Sequence, residues 1–295
     1  MELEIGPGGR FVSYAQNGED VVLLRALGAK SNGFWIDVGA NHPVEDSVTK
    51  IFSHGGWTGI NIEPLDDMFA LLAEMRPNEI NRQIAISDVE GELLFYRNVS
   101  NGGLSTFDKS LIGPYLQRGD VIEEIIIPVT TLTAVCDSLA AVPVIDFLKI
   151  DAEGHELNVV RGHDFEKYPV RVICAECSLG ALPALTAALN DRGFDQIQFD
   201  GLNAWYVDRS ESDEVRSSLQ YPASPILDFF HRAEYVQLER SWKHELSNSL
   251  AQQAEIAELR SELEQLREQV RVLSLTKPSF ARRVKRKIWS LRKNN

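Results

Sequence analysis

The sequence predicts an α/β protein: a parallel sheet covered by helices on both faces, finished by an antiparallel hairpin and followed by a long coiled-coil helix. Three observations predict it. Between about residues 34 and 208, short apolar runs without polar alternation are separated by helical patterns, as in strands buried on both faces. Near the end of that region two runs flank an Asp200-Gly201 turn, a hairpin signal. From about Ala233 the composition shifts to Glu, Gln, Arg, Leu and Ser, with apolar residues three and four positions apart.

Taken in order, strands are expected at 34–38, 59–62, 83–86, 147–150 and 172–176, with helical patterns between most of them, including 66–75 and 181–192. The hairpin strands are 194–199 and 202–207. Residues 92–131 read as an insertion, in which short strands at 93–96 and 125–129 flank the Gly-rich loop Asn101-Gly102-Gly103-Leu104-Ser105-Thr106. A parallel sheet closed by a hairpin is the layout of the seven-stranded methyltransferase fold. The expected divisions are an N-terminal segment 1–32, the sheet domain 33–210, a linker 211–232, the helix 233–275 and a basic tail 276–295.

With 295 residues, 44% hydrophobic and 25% charged, the chain can build one large core plus an appendage, which excludes wholesale disorder. No apolar stretch approaches the length of a membrane span. The start, Met1-Glu2-Leu3-Glu4, lacks a secretory pattern, and there are only three cysteines, so a cytoplasmic location is expected. Net charge is −13, but residues 275–295 hold eight basic and no acidic residues, leaving 22 basic against 43 acidic elsewhere. Such an acidic body is not expected to bind nucleic acid.

The leading motif is Phe34-Trp35-Ile36-Asp37-Val38-Gly39-Ala40-Asn41: an apolar strand, an acid, a glycine, then a helix expected near Pro43. Glycine there lets the backbone approach a ligand with no Cβ in the way. Glu63 closes the next strand, where an acid can accept both hydroxyls of a ribose. Ser87-Asp88 closes the third, where an adenine amino group could be read. A dinucleotide site wants two further glycines and helix N–H groups around a pyrophosphate, but Asn41 and Val44 stand at those positions and Pro43 removes a donor. S-adenosylmethionine (SAM) has no phosphate; its sulfonium, ammonium and ribose suit an acid-rich pocket.

These residues make the sequence resemble the FkbM family of SAM-dependent O-methyltransferases. The match runs from about Ser13 to Val207 and rests on four blocks: Ser13-Tyr14-Ala15-Gln16-Asn17-Gly18-Glu19-Asp20, Ile36-Asp37-Val38-Gly39-Ala40-Asn41, Ile60-Asn61-Ile62-Glu63-Pro64, and Leu148-Lys149-Ile150-Asp151-Ala152-Glu153-Gly154-His155-Glu156. The resemblance implies a class I (Rossmann-like) fold and a glycan or related small-molecule acceptor. It implies that Asp37, Gly39, Asn41 and Glu63 hold SAM, that Gln16 and Glu19 come from a segment folded over it, and that Asp151 and Glu153 face the transferred methyl group.

Methyl transfer to an alcohol needs close positioning and a base for the departing proton. Asp151, Glu153, His155 and Glu156 crowd one turn at the end of the fourth strand, which should raise one carboxylate's pKa. His155 or Asp151 is the expected base, with Glu153 orienting a sugar hydroxyl. In the plainer reading Gly154 ends the turn, Glu156 caps the next helix and His155 is solvated. Glu176 ends the fifth strand beside the acceptor, and Ser105 sits in the loop expected as an acceptor lid. Asp151, Glu153 and Glu176 could instead cradle a divalent cation such as Mg²⁺; no metal ligand is assigned. Cys174 and Cys177 lie three apart on a strand, pointing to opposite faces, and read as buried structural residues.

In the C-terminal region Ile256, Leu263 and Val270 fall at a, and Leu259, Leu266 and Leu273 at d, of a heptad. Glu255 and Glu262 at g could meet Arg260 and Arg267 at e of a partner, so a homodimer or higher assembly is expected. The alternative is a helix packed on its own domain. In the tail Phe280, Val284, Ile288 and Leu291 form a stripe among basic residues that could lie on anionic lipid at the inner face of a membrane. Two other functions compete with O-methylation: a catalytically silent SAM-fold scaffold assembled through the helix, and an NAD-dependent enzyme.

Overall fold

The computed structural model describes residues 3–28 and 30–276, so the amphipathic stripe expected in the tail lies outside the described residues. The body is mixed α/β, built on a seven-stranded sheet. Numbered along the chain, its strands are β1 (Phe34–Val38), β2 (Thr58–Ile62), β3 (Ile80–Arg82), β4 (Ile145–Ile150), β5 (Val170–Glu176), β6 (Phe194–Phe199) and β7 (Asn203–Asp208). Their spatial order is β3-β2-β1-β4-β5-β7-β6. All pairs are parallel except those of β7, which runs against both neighbours. The direction of travel reverses between β1 and β4, and ligands of open α/β sheets bind at the carboxyl ends of strands at such a reversal.

The period-2 pleat sorts side chains onto two cores. Ile36, Val38, Leu148, Ile150 and Ile173 face one layer, against Leu132, Val135, Val159, Val160, Leu185 and Leu189 of helices Leu132–Asp137, Glu156–Arg161 and Leu182–Asn190. Trp35, Phe147, Val172 and Trp205 face the other, against Val22, Leu23 and Phe52 of helices Glu19–Leu27 and Lys50–His54. Full burial of each such side chain contributes about 1.5–3 kcal/mol, so the two faces hold the sheet from both sides. Cys174 belongs to one core and Cys177 to the other, as the three-residue step requires.

Three local expectations are corrected. The third sheet strand is Ile80–Arg82; Ala85–Ile86 passes to a separate three-stranded sheet with Gly91–Asn98 and Ile122–Thr130. An apolar pair this short serves whichever sheet its backbone reaches, and here Ala85 lies opposite Val129. No helix begins near Pro43. That residue has no N–H to give, Asn41 and Asp46 adopt positive φ (48° and 53°), and His42 Nδ1 accepts the N–H groups of Val44 and Glu45. The stretch 211–232 is not a free linker: it holds helix Asp213–Ser218 and strand Phe230–Arg232, which pairs with Phe11–Ser13. Val215, Leu219 and Phe230 are buried there.

Two compact units divide at residue 236. The second is carried by the 44-residue helix Ala233–Thr276. No described helix is long and apolar enough to cross a membrane.

Candidate active site

The site starts where β1 ends. Gly39 has φ +77°, and a Cβ on it would lie 1.9 Å from the Asp151 carbonyl oxygen. Both the backbone conformation and the lack of space therefore require glycine. This turn lies beside the end of β4, where Asp151 N–H donates to Val38 O at 2.9 Å. On the other side Gly39 and Ala40 donate to Ile62 O at 3.0 and 3.1 Å, which fixes the end of β2 and its next residue, Glu63.

Glu63 is 4% exposed. Its two oxygens accept the N–H groups of Asn41 (2.9 Å) and Leu65 (2.8 Å). Burial raises its pKa to about 7, and the two N–H donors oppose that rise. Each oxygen keeps a lone pair for a further donor. Around it opens a cleft lined by Leu65, Ile86, Phe95 and Phe107 among others. Apolar and aromatic walls with a few convergent polar groups are the lining of a small-molecule site.

A second, polar cleft of about 210 Å³ is lined by Gln16, Glu19, Asp46, Lys149, Glu176 and Asn203. Gly39, Asn41, Gly103, Asp151 and Glu153 line both clefts. The loop of the insertion reaches both as well: Gly102 and Ser105 border the first, Asn101 and Leu104 the second. Glu19 arrives from the N-terminal segment and is held by Asn17 N–H (2.8 Å) and Asn203 Nδ2 (2.7 Å).

The structure thus brings together Gln16, Glu19, Gly39, Asn41, Glu63, Ser105, Asp151, Glu153 and Glu176. It places Asp37, Ser87, Asp88 and His155 elsewhere. Asp37 is 2% exposed on the second core face, bonded to the Thr49 hydroxyl and 3.8 Å from the Lys149 ammonium. Ser87 pairs with Thr130 in the small sheet and meets His155 Nε2 at 3.0 Å, while Asp88 accepts from Asn158. The His155 ring packs against Phe107 and lines neither cleft. Burial lowers its pKa.

The turn after β4 is unusual. Glu153, a non-glycine residue, has φ 47°, followed by Gly154 at 94°. The Thr106 hydroxyl donates to Glu153 O, and Glu156 accepts from Ala152 and Gly154 N–H. These bonds hold the Glu153 backbone in the left-handed region, which costs about 1 kcal/mol or more. Burial, then the negative charges of Asp151, Glu176 and Glu156, push its carboxyl up to about 8. Burial and Asp151 push Glu176 up to about 7. One oxygen from each of Asp151, Glu153 and Glu176 lies within 4.8 Å of the others.

Sequence reasoning gave no role to Lys149. It is buried between carboxylates: Nζ lies 2.9 Å from Asp151 Oδ2, 3.1 Å from Gly39 O and 3.8 Å from Asp37 Oδ1. Its negative neighbours raise its pKa despite burial. The available signal was a lysine inside an otherwise apolar strand that also carries Asp146. Asn203 and Phe107 were missed as well; neither stands in a motif.

The raised carboxyls predict a pH effect on the unliganded protein. Glu63, Glu176 and the buried Asp20 titrate at about 7 and Glu153 at about 8, whereas the unfolded chain loses these protons near 4 to 4.5. Between pH 6.5 and 8 the native state therefore binds more protons, so stability falls as pH rises. The free energy from urea unfolding should drop by ~2 kcal/mol or more across that interval. An unchanged or higher value at pH 8 contradicts these protonation states.

A family model described as Methyltransferase FkbM domain matches residues 37–197. No significant match is found among curated proteins. Among solved structures, a METTL16 MTase domain is 12% identical with a TM-score of 0.40, the match covering 71% of this chain and 74% of that one. A human methyltransferase 10 domain containing protein is 15% identical with a TM-score of 0.35, covering 65% and 79%. Both likenesses are remote.

Proposed function

This chain belongs to the FkbM methyltransferase family and is a methyltransferase; we propose that it uses SAM to methylate a hydroxyl of a sugar, glycan or related small molecule. The observation that carries this reading is Glu63: a buried carboxylate, fixed by two backbone N–H groups, in the wall of an apolar slot that shares Gly39, Asn41, Asp151 and Glu153 with an acid-lined one. The strand order, with one antiparallel strand next to the edge, is that of a class I methyltransferase sheet.

The residues present fit SAM. Glu63 keeps lone pairs for ribose hydroxyls, Leu65, Ile86, Phe95 and Phe107 offer an apolar slot for a base, and Asp151 offers negative charge to a cation. Bound there, SAM supplies an electrophilic methyl group. The chain's own part is to position, dehydrate and deprotonate. Glu19, Glu176 and Asn203 line the second cleft, where carboxylate and amide oxygens accept hydroxyl protons and carboxylates repel phosphates. Glu153, at the junction of both clefts and with raised proton affinity, takes the acceptor's proton at a carboxylate oxygen. Lys149 beside Asp151 supplies positive charge from the chain itself. Phe95 and Phe107 keep water from the slot.

The NAD reading loses its remaining support, because the Gly39 turn launches no helix and so presents no cluster of helix N–H groups to a diphosphate. Calorimetric titration with SAM tests the proposal. Wild type should bind, Glu63→Gln should weaken binding at least tenfold, about 1.4 kcal/mol, and wild-type affinity should rise from pH 6.5 to 8 as Glu63 ionises. No heat from wild type removes the SAM reading and leaves the scaffold. Labelled methyl transfer into glycan fractions, absent in Glu153→Gln, tests the acceptor class and the base.

A further inference from the structure

We propose that the helix Ala233–Thr276 pairs with that of a second copy of this chain, as a parallel, in-register, two-stranded coiled coil centred on residues 256–270. Ile256, Leu259, Leu263 and Leu266, spaced 3-4-3, are 49%, 56%, 48% and 57% exposed. Four large apolar side chains in one row along a helix are what a facing helix buries.

The charges beside the row choose the partner and its direction. Glu255 and Glu262 stand at g, Arg260 and Arg267 at e. In a parallel pair each g residue lies beside the e residue five positions on in the other helix, so Glu255 meets the partner's Arg260 and Glu262 meets the partner's Arg267. Two-fold symmetry makes four such pairs. In an antiparallel pair g faces g and e faces e, which sets glutamate against glutamate and arginine against arginine. The same four residues thus favour one orientation and oppose the other. β-Branched Ile256 and Val270 at two of the three a positions, with Leu259 and Leu266 at d, favour two strands over three or four, and Leu263 fills the remaining a position.

Upstream the row drifts. Leu238, Trp242, Leu246 and Leu250 are exposed too but follow one another at steps of four, so the row winds about 40° around the helix at each step instead of staying on the seam. The paired segment is therefore short, and a short coil dissociates at low concentration.

Sedimentation of the full chain over 1–100 µM tests this. The expected result is a monomer–dimer equilibrium. Leu259→Lys with Leu266→Lys should weaken it at least tenfold, with the far-ultraviolet spectrum and SAM binding of the body retained. Glu255→Lys with Glu262→Lys, and Arg260→Glu with Arg267→Glu, should each weaken it when alone, and an equimolar mixture should restore a dimer. Leu259→Cys, at a d position inside the paired segment, should form an interchain disulfide on mild oxidation. A wild-type monomer at 100 µM, or a species larger than a dimer, overturns the proposal. So does a dimer that survives the leucine changes, or one in which the Leu259→Cys chains stay unlinked. None of these outcomes bears on methyl transfer.

Discussion

Gly39→Ala is expected to abolish measurable SAM binding and to destabilise the body by about 2–5 kcal/mol. Two costs add. A φ of +77° strains any L-residue by roughly 1–2 kcal/mol. The new Cβ would also sit 1.9 Å from a backbone oxygen, that of Asp151, which has no side-chain freedom with which to move aside. Relief requires β1 and β4 to part at their carboxyl ends, where Asp151 N–H is bonded to Val38 O. Asn41 and Glu63 are fixed from the same turn, so the cofactor contacts move with it. Gly56→Ala is the matched control: its φ of +87° carries the same strain, but nothing lies within 4 Å of the added carbon. Thermal unfolding should separate the two variants, and calorimetry should show binding only for Gly56→Ala. Equal behaviour would mean that the close approach to Asp151 is not a constraint.

Lys149→Met is expected to cost about 3–5 kcal/mol, the usual result of removing one partner of a buried ion pair. It leaves Asp37, whose Oδ1 has no hydrogen-bond partner among the described residues, without the ammonium that balances it most. Asp151 and the Gly39 carbonyl lose a donor at the same time. Adding Asp37→Asn removes the stranded charge, so the double variant should recover part of the loss. The penalty should also shrink at low pH, because protonating Asp37 removes the same charge and burial already raises its pKa. Urea unfolding of both variants at pH 5 and pH 8 measures this. A single variant as stable as wild type would show that the lysine is not the counter-charge.

Most of the sheet was legible because its strands are apolar and separated by helices, a pattern that depends only on neighbouring residues. Asp66–Met75 was readable to its ends. What failed depended on distant backbone. Ala85–Ile86 was read as a sheet strand because nothing local says which sheet receives it. Gly39, Glu63, Asp151 and Glu153 were legible because acids and a glycine at strand ends converge wherever the strands are parallel. Asp37 was readable as an acid near that edge, but its place one residue inside the strand turns it to the second core face, in register with Lys149. His155 is next door to the site in sequence, yet the positive-φ turn at Glu153 and Gly154 carries it to Ser87.

The split of Cys174 and Cys177 between the two cores, with Cys136 buried as well, has a practical consequence. Burial drives all three thiols upward, Cys136 to about 12 and Cys177 to about 11, so near neutral pH almost none is thiolate. Alkylating reagents should therefore react only when the body opens, which makes these sulfurs a native clock for its unfolding and leaves an engineered thiol on the long helix as the one that a reagent finds first.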